Sequence, residues 1–132
     1  MANHNIEPCC PTDPQQRAAW EEKMQGEKDK MIMEVGSALA ERESILKTLG
    51  HTVRLAILHE LGNRSNCVCE LVTKLEVANS AISYHLSFLA KYAMIQAENR
   101  AGRMYYHLTD YGKQILEWLD GMPLREENPD ST

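Results

Sequence analysis

The chain has 132 residues, of which 43% are hydrophobic, and its formal net charge is −5 at pH 7. This length allows one compact domain with extensions but hardly two domains. No apolar run approaches the roughly 18 residues of a membrane-spanning helix, and the first residues lack the basic and apolar regions of a signal peptide, which argues against a membrane protein and predicts a cytoplasmic one.

The amino-terminal part of the chain divides into two predicted segments. Residues 1–14 contain three prolines and the adjacent pair Cys9 and Cys10, which predicts a flexible arm that carries cysteines. Residues 15–40 are rich in Ala, Glu, Lys, Gln and Met, which are strong helix formers, and predict a helical N-terminal extension. Because Gly26 and Gly36 interrupt this composition, we expect two or three helical pieces here.

Residues 41–122 predict a single domain that begins with three helices. Thr52 is expected to cap a helix through "VRLAILHEL", and a short helix follows over "CELVTKLEV". After a break, Asn79 or Ser80 is expected to cap the amphipathic helix "AISYHLSFLAKYAMI". Two helices separated by a tight turn predict a helix-turn-helix, whose second helix reads DNA in the major groove.

The rest of this domain predicts a wing and a last helix. The segment "IQAENRAGRMYYHL" changes to the two-residue period of strands and predicts a β-hairpin around Gly102. Asp110 is then expected to cap the helix "YGKQILEWLDGM", and residues 123–132 predict a disordered tail. The fold class is therefore mainly α with a small β-wing, a winged helix-turn-helix.

Polar side chains at the start of the predicted second helix form a candidate DNA-binding surface. They are Asn79, Ser80, Ser83, Tyr84 and Ser87, with His85 beside them. Small hydroxyl and amide groups approach base edges closely, while Arg100 and Arg103 near the tip of the hairpin suit phosphates or the minor groove. Between residues 51 and 108 six basic side chains outnumber four acidic ones, although the chain as a whole is acidic. The alternative is that these polar residues form only a solvated helix face.

Cys67 and Cys69 form a candidate metal-binding pair. Mid-helix, positions two apart point roughly 200° away from each other, but a Cys67 at the cap position allows both thiols to face one ion. Glu70 would then complete a capping box, and the free N–H groups of the helix start would favour thiolates. Since closed thiolate sites usually need three or four donors, Cys9 and Cys10 are candidates for the others. The alternative is that Cys67 and Cys69 are inert buried cysteines.

Over about residues 44–119 the chain resembles the ArsR/SmtB family of metal-sensing repressors. The resemblance rests on "ILKTLGHTVRLAILHEL", "NCVCEL", "SAISYHLSFLAKYAMI" and "NRAGRMYYHL". It implies a homodimer that binds a palindromic operator without inducer and leaves it when an ion binds the cysteines of the helix that opens the helix-turn-helix. The family's second metal site begins with an aspartate, matched by Asp110, but Gly112 replaces the expected histidine, so no zinc site is expected at the closing helix.

A dimer is also expected from hydrophobic patterning of the closing helix. Its apolar stripe, which a small monomer would struggle to cover, is expected to pair with its equivalent in the partner and with helix 37–49. The stripe consists of Ile115, Leu116, Trp118 and Leu119.

These observations predict a cytoplasmic, homodimeric repressor that responds to a thiophilic ion. Four thiolates suit Cd(II), Pb(II) or Zn(II), whereas three suit As(III) or Sb(III). A thiol-based redox regulator on the same fold is the alternative. An enzyme is not predicted, because the sequence has neither a Gly-rich phosphate loop nor a nucleophile motif.

Overall fold

The computed structural model describes residues 10–126, which form five helices and three strands. Their bounds are α1 Pro14–Leu49, α2 Thr52–Asn63, β1 Asn66–Cys67, α3 Val68–Leu75, α4 Asn79–Lys91, β2 Ile95–Arg100, β3 Arg103–Leu108 and α5 Asp110–Asp120. The predicted mainly α fold with a small β-wing is confirmed. Within the described residues, no helix is long and apolar enough to span a membrane. The chain divides into two compact units, the first ending at Glu43 and the second beginning at Ser44.

The first helix, α1, continues without the breaks predicted at its glycines. The helix has 36 residues and passes through both Gly26 and Gly36. Exposed pairs four residues apart support it, including Arg17 with Glu21 at 3.0 Å and Gln25 with Asp29 at 2.9 Å. A single glycine costs a helix only about 1 kcal/mol relative to alanine, and the strong helix formers on both sides outweigh this cost. The prediction of separate pieces was therefore wrong.

The second unit is built around a helix-turn-helix. α3 ends at Leu75 and is followed by its C-cap residue Glu76, whose φ of 53° is left-handed, and α4 begins at Asn79. The side chains between α2, α3 and α4 form an apolar core, in which Ile57, Leu58, Leu71, Ile82 and Leu89 have no exposed surface. Since this core lies on one side of α4, the opposite side of that helix is left for solvent or a ligand. We call α4 the recognition helix.

A three-stranded antiparallel sheet in the order β1-β3-β2 completes this unit. The predicted hairpin is confirmed: β2 and β3 pair from Ile95 with Leu108 to Arg100 with Arg103. Its turn has φ of 50° at Ala101 and 86° at Gly102, the left-handed geometry that favours glycine in two-residue hairpins. We call this hairpin the wing. The third strand was not predicted, because β1 spans only Asn66–Cys67.

Three helix caps lie one residue before the predicted positions. His51, not Thr52, caps α2, with its Nδ1 accepting from the backbone N–H of Val53 at 3.2 Å. Ala78 occupies the cap of α4 without a side-chain bond. Thr109 rather than Asp110 caps α5, because its hydroxyl accepts the N–H of Gly112 at 3.0 Å. Histidine and threonine can both accept such a bond, so local composition predicts that a cap exists more reliably than which residue supplies it.

Candidate thiol site and nucleic-acid interface

Cys67 and Cys69 lie together at the start of α3. Cys67 is the N-cap residue, with an extended backbone at φ −84° and ψ 167°, and Cys69 lies in the first helical turn. This change of backbone conformation turns the two side chains towards each other, and the Sγ atoms lie 2.9 Å apart. The backbone N–H of Cys67 donates to the carboxylate of Glu70 at 3.2 Å, which forms the predicted capping box. The predicted geometry of the thiol pair is thus present.

The electrostatics of the pair differ from the prediction. The pKa of the Cys67 thiol is raised, because it shares a hydrogen bond with Cys69 and because it is buried. The backbone N–H of Glu70 acts in the opposite direction but is the weaker influence. The N–H of the helix start thus acts in the predicted direction, but at Cys67 the hydrogen bond with Cys69 and burial outweigh it. An ion that binds both sulfurs must displace their thiol protons.

Glu70 is held ionised beside the thiols. Arg64 pairs with its carboxylate, and together with the N–H of Cys67 it lowers the pKa of Glu70 to about 2. The carboxylate of Glu70 is thus already bonded to Arg64 and to the backbone N–H of Cys67. It is not a free carboxylate ligand.

The described residues supply two donors for a thiophilic ion. Cys67 and Cys69 are both unpaired thiols; Cys67 is buried and Cys69 is exposed. Soft thiolates suit the predicted ions, so the pair fits one half of such a site. Within residues 10–126, no group of three or more His, Cys, Asp or Glu side chains is arranged to hold a metal ion. Cys10 is an exposed free thiol in the first unit, and Cys9 lies outside the described residues.

A buried amide, which the sequence reasoning missed, connects this site to α2. Asn66 has no exposed surface, and its Nδ2 donates to the carbonyl of Arg64 at 2.9 Å. Lys74 of α3 donates to the Oδ1 of Asn66 at 2.8 Å and pairs with Glu60 of α2 at 3.2 Å. These contacts fix the segment before Cys67 against both helices. The only sequence signal was a polar residue beside the cysteine, which is too common to be diagnostic.

The candidate base-contacting side chains share the exposed side of the recognition helix. Asn79, Ser80, Ser83, Tyr84 and Ser87 are all exposed. Tyr84 keeps 56% of its surface accessible. Ser87 donates to the carbonyl of Tyr84 at 2.6 Å, and Ser83 lies 3.5 Å from the amide oxygen of Asn79. The helix therefore presents an amide, three hydroxyls and a phenol to solvent.

His85 is an exception and corrects the predicted surface. The residue is only 6% exposed, and its Nδ1 accepts a hydrogen bond from Nε of Arg54 at 3.1 Å. The residue lies on the core side of α4 between Ile82 and Leu89, both fully buried. Since its position follows that of Tyr84 by one residue, the helical rotation carries it inwards. His85 therefore lies behind the recognition helix and is not part of its exposed polar side.

The two wing arginines have different surroundings. Arg100 lies 5.0 Å above the ring of Tyr105, pairs with Glu98 at 3.1 Å and reaches the hydroxyl of Ser65 at 3.5 Å. Arg103 is exposed and makes no ion pair with any residue from 10 to 126. Arg103 is therefore the wing cation with its charge available for a phosphate.

Gly112 explains the absence of a histidine at the family's second site. A Cβ atom at this position would overlap the carbonyl oxygen of Met94 and come within 3.4 Å of Leu108. The backbone of α5 thus approaches the segment between α4 and β2 too closely for any side chain at position 112. Position 112 therefore has no room for a histidine side chain in this fold.

Comparisons with known proteins identify the family of this chain. Residues 51–95 match the model of the bacterial regulatory protein, arsR family. An arsenical resistance operon repressor of Bacillus subtilis is 38% identical over 73 residues, which cover 54% of this chain and 70% of that protein. An HTH-type transcriptional regulator of Methanocaldococcus jannaschii is 35% identical over 78 residues, which cover 58% of this chain and 88% of that protein.

Two solved structures support the assignment to this family. Reduced HlyU from Vibrio cholerae has a TM-score of 0.57 and 32% identity, and the match covers 67% of this chain and 93% of that chain. The crystal structure of the transcriptional regulator HlyU from Vibrio vulnificus has a TM-score of 0.59 and 29% identity. That match covers 67% of this chain and 94% of that chain. The chain therefore belongs to the ArsR family and is a DNA-binding transcriptional regulator, as predicted, rather than an enzyme.

Proposed function

We propose that this protein is a homodimeric repressor that binds its operator in the ion-free form and releases it when a thiophilic ion binds Cys67 and Cys69. The observation that carries the proposal is the 2.9 Å separation of the two free sulfurs at the first turn of α3. α3 is the first helix of the helix-turn-helix, so a ligand bound there acts directly on the DNA-reading part of the fold.

The recognition helix and the wing are the proposed operator interface. Asn79, Ser80, Ser83, Tyr84 and Ser87 are assigned to base edges and the neighbouring backbone. Arg103 is assigned to phosphate, and Arg100 to phosphate or to the minor groove. Support comes from the exposure of the helix residues and from the unpaired charge of Arg103.

The inducer is proposed to be As(III), Sb(III), Cd(II), Pb(II) or Zn(II). The Bacillus relative is named for arsenical resistance, which favours a metalloid, and three thiolates satisfy As(III). Cys9 and Cys10 are proposed as the further donors, with residues 1–14 acting as the arm that carries them. With both of these cysteines the donor set would be four thiolates, which suit the divalent ions.

Ion binding is proposed to affect DNA binding through the two elements next to Cys67, which are α3 and the wing. This residue caps α3, and as part of β1 it also pairs with Tyr105 of the wing. A shift of its backbone on ligation therefore acts on the helix-turn-helix and on the wing together. Reversing a 99:1 equilibrium needs about 5.5 kcal/mol. Tight thiolate coordination can provide that, since structural zinc–thiolate sites reach roughly 10–16 kcal/mol.

A titration of labelled operator DNA against each ion, followed by fluorescence anisotropy, tests this function. We expect Cys67→Ser and Cys69→Ser to bind operator like the parent and to lose ion-induced release. Thr73→Val is the matched control, because Thr73 lies beside Cys69 and carries no thiol. It should keep the full response. If the cysteine variants still release DNA when ion is added, the thiol pair is not the inducer site.

The contribution of the arm is tested separately. Cys9→Ser and Cys10→Ser should lower the ultraviolet thiolate-to-metal absorption and weaken ion affinity. A double variant with full absorption and full response would show that the arm supplies no ligand.

A thiol redox switch is the second candidate function. The distance between the two sulfurs also suits their oxidation to a disulfide by a peroxide or another two-electron oxidant. Release of operator by oxidant without any ion, reversed by dithiothreitol, would favour this function over ion sensing.

A further inference from the structure

Arg54 is a buried cation that lies behind the recognition helix. Its residue surface is only 8% exposed, although it lies on α2 among core residues such as Ile57 and Leu58. No carboxylate among the described residues pairs with it. An arginine buried without a counter-ion is unusual, because removing its charge from water is costly unless several other groups compensate.

Three groups surround the guanidinium of Arg54. Its Nε donates to Nδ1 of His85 at 3.1 Å, and its Nη1 donates to the carbonyl of Thr48 at 3.2 Å. Its plane lies over the ring of Phe88, with Cζ 4.1 Å from the ring centroid. These partners belong to the end of α1 and to the core side of the recognition helix. A planar fork that makes directed bonds on two sides fixes the relative positions of its partners, which an apolar side chain of the same size does not do.

The same two rings hold Tyr84 on the exposed side of the helix. The centroid of the Tyr84 ring lies 4.9 Å from Phe88 and 5.4 Å from His85, and both contacts are edge-to-face. Such contacts restrict the rotation of an aromatic ring. Tyr84 is thus exposed, and it contacts the same two rings that Arg54 contacts on the core side.

We propose that Arg54 is a positioning residue for sequence reading: through His85 and Phe88 it sets the direction in which Tyr84 meets the base edges. The inference rests on the proposed operator interface. Arg54 itself touches no DNA. It therefore affects discrimination between operator and other sequences, and it leaves untouched the phosphate contacts that give non-specific affinity and its dependence on salt.

The test uses an operator duplex selected from a random library, the same duplex with single base-pair changes, and a non-specific duplex, each at several salt concentrations. In both Arg54→Met and Arg54→Lys we expect the ratio of operator to non-specific affinity to fall about tenfold, comparable to one lost base contact. The salt dependence and the non-specific affinity should remain those of the parent. The nitrogen NMR signals of the His85 imidazole should change in both variants, since its Nδ1 loses the Arg54 bond.

Two further variants distinguish a loss of sequence discrimination from a general loss of stability. Phe88→Leu keeps an apolar side chain but removes the ring between Arg54 and Tyr84, and should lower discrimination as Arg54→Met does. Ile57→Val, which shortens a core side chain on the same helix outside this cluster, should lower stability and leave discrimination unchanged.

Several outcomes would overturn the inference. Full discrimination in Arg54→Lys would mean that only the charge matters. If the slope of log affinity against log salt concentration were smaller by about one in Arg54→Met, Arg54 would contact a phosphate. If Tyr84→Phe lowers discrimination and Arg54→Met does not, the inference fails and the proposed interface stands. If Tyr84→Phe and Ser83→Ala both bind all duplexes like the parent, the interface and the inference fail together.

Discussion

His85 is a buried histidine behind the recognition helix that accepts a hydrogen bond from Arg54. Burial lowers the pKa of His85, and the nearby His51 and Arg54 lower it further. The hydrogen bond from Arg54 also needs an unprotonated Nδ1. As the pH falls through the ordinary histidine pKa of about 6.5, the unfolded chain takes up a proton that the folded chain does not, so folding stability must fall.

We therefore expect the midpoint of thermal unfolding to decrease between about pH 7.5 and pH 5.5. The variant His85→Asn places an amide oxygen near the position of Nδ1, so it can still accept from Arg54 but does not titrate. Its unfolding midpoint should depend less on pH than that of the parent. Parallel profiles for the two proteins would show that His85 is not the responsible group.

Substitutions of single residues in the proposed interface should distinguish sequence reading from general affinity for DNA. Replacing Ser83 or Tyr84 with alanine should cost about 1–3 kcal/mol per lost base contact and relax specificity. Replacing Arg103 should weaken binding to every sequence and reduce its salt dependence, because a phosphate contact releases counterions. Binding isotherms at several salt concentrations distinguish these effects. Parent-like behaviour of both kinds of variant would mean that the interface has been misassigned.

At the scale of elements, the packing of α5 against the segment between α4 and β2 depends on a glycine. In Gly112→Ala the new methyl group would overlap the Met94 carbonyl, which is backbone and cannot rotate away. We expect a loss of about 1–3 kcal/mol in the free energy of unfolding, the usual cost of overpacking. Gly26→Ala is the control, because nothing lies within 4 Å of that position in α1. There alanine should increase helicity measured by circular dichroism.

If Gly112→Ala were as stable as the parent in denaturant unfolding, α5 would have to move outwards at little cost. The close approach would then no longer explain the missing histidine.

At the scale of the whole molecule, the stripe expected at the dimer interface proves to be divided. Ile115, Leu116 and Leu119 are partly buried and pack against the core of their own subunit. Trp118 remains 52% exposed on α5, and Leu46 remains 54% exposed on α1. The surface proposed for the dimer is therefore narrower than the stripe, and it centres on these two side chains.

We expect Trp118→Glu and Leu46→Glu to weaken the dimer, because each places a charge in the proposed apolar interface. Leu124→Glu is a matched control, since Leu124 is 85% exposed and follows the end of α5. Sedimentation at micromolar concentration measures the mass, and the operator should contain two half-sites about one helical turn apart. A monomeric parent would contradict the dimer proposal altogether.

The order of elements and the thiol pair were accessible from the sequence because both depend on near neighbours. The change from helical to two-residue period marks the wing, and the spacing of Cys67, Cys69 and Glu70 is sufficient to predict the capping box that brings the sulfurs together. These features arise from backbone geometry within a few residues.

Only the tertiary structure decided the features that depend on distant partners. Arg54 and His85 are 31 residues apart in sequence, so their bond, and with it the inward position of His85, had no local signal. The pairing of β1 with the wing likewise joins Cys67 to Tyr105. Gly112 is forced by the Met94 carbonyl. In each case several local conformations have similar energies, and a contact with a residue distant in sequence selects one of them.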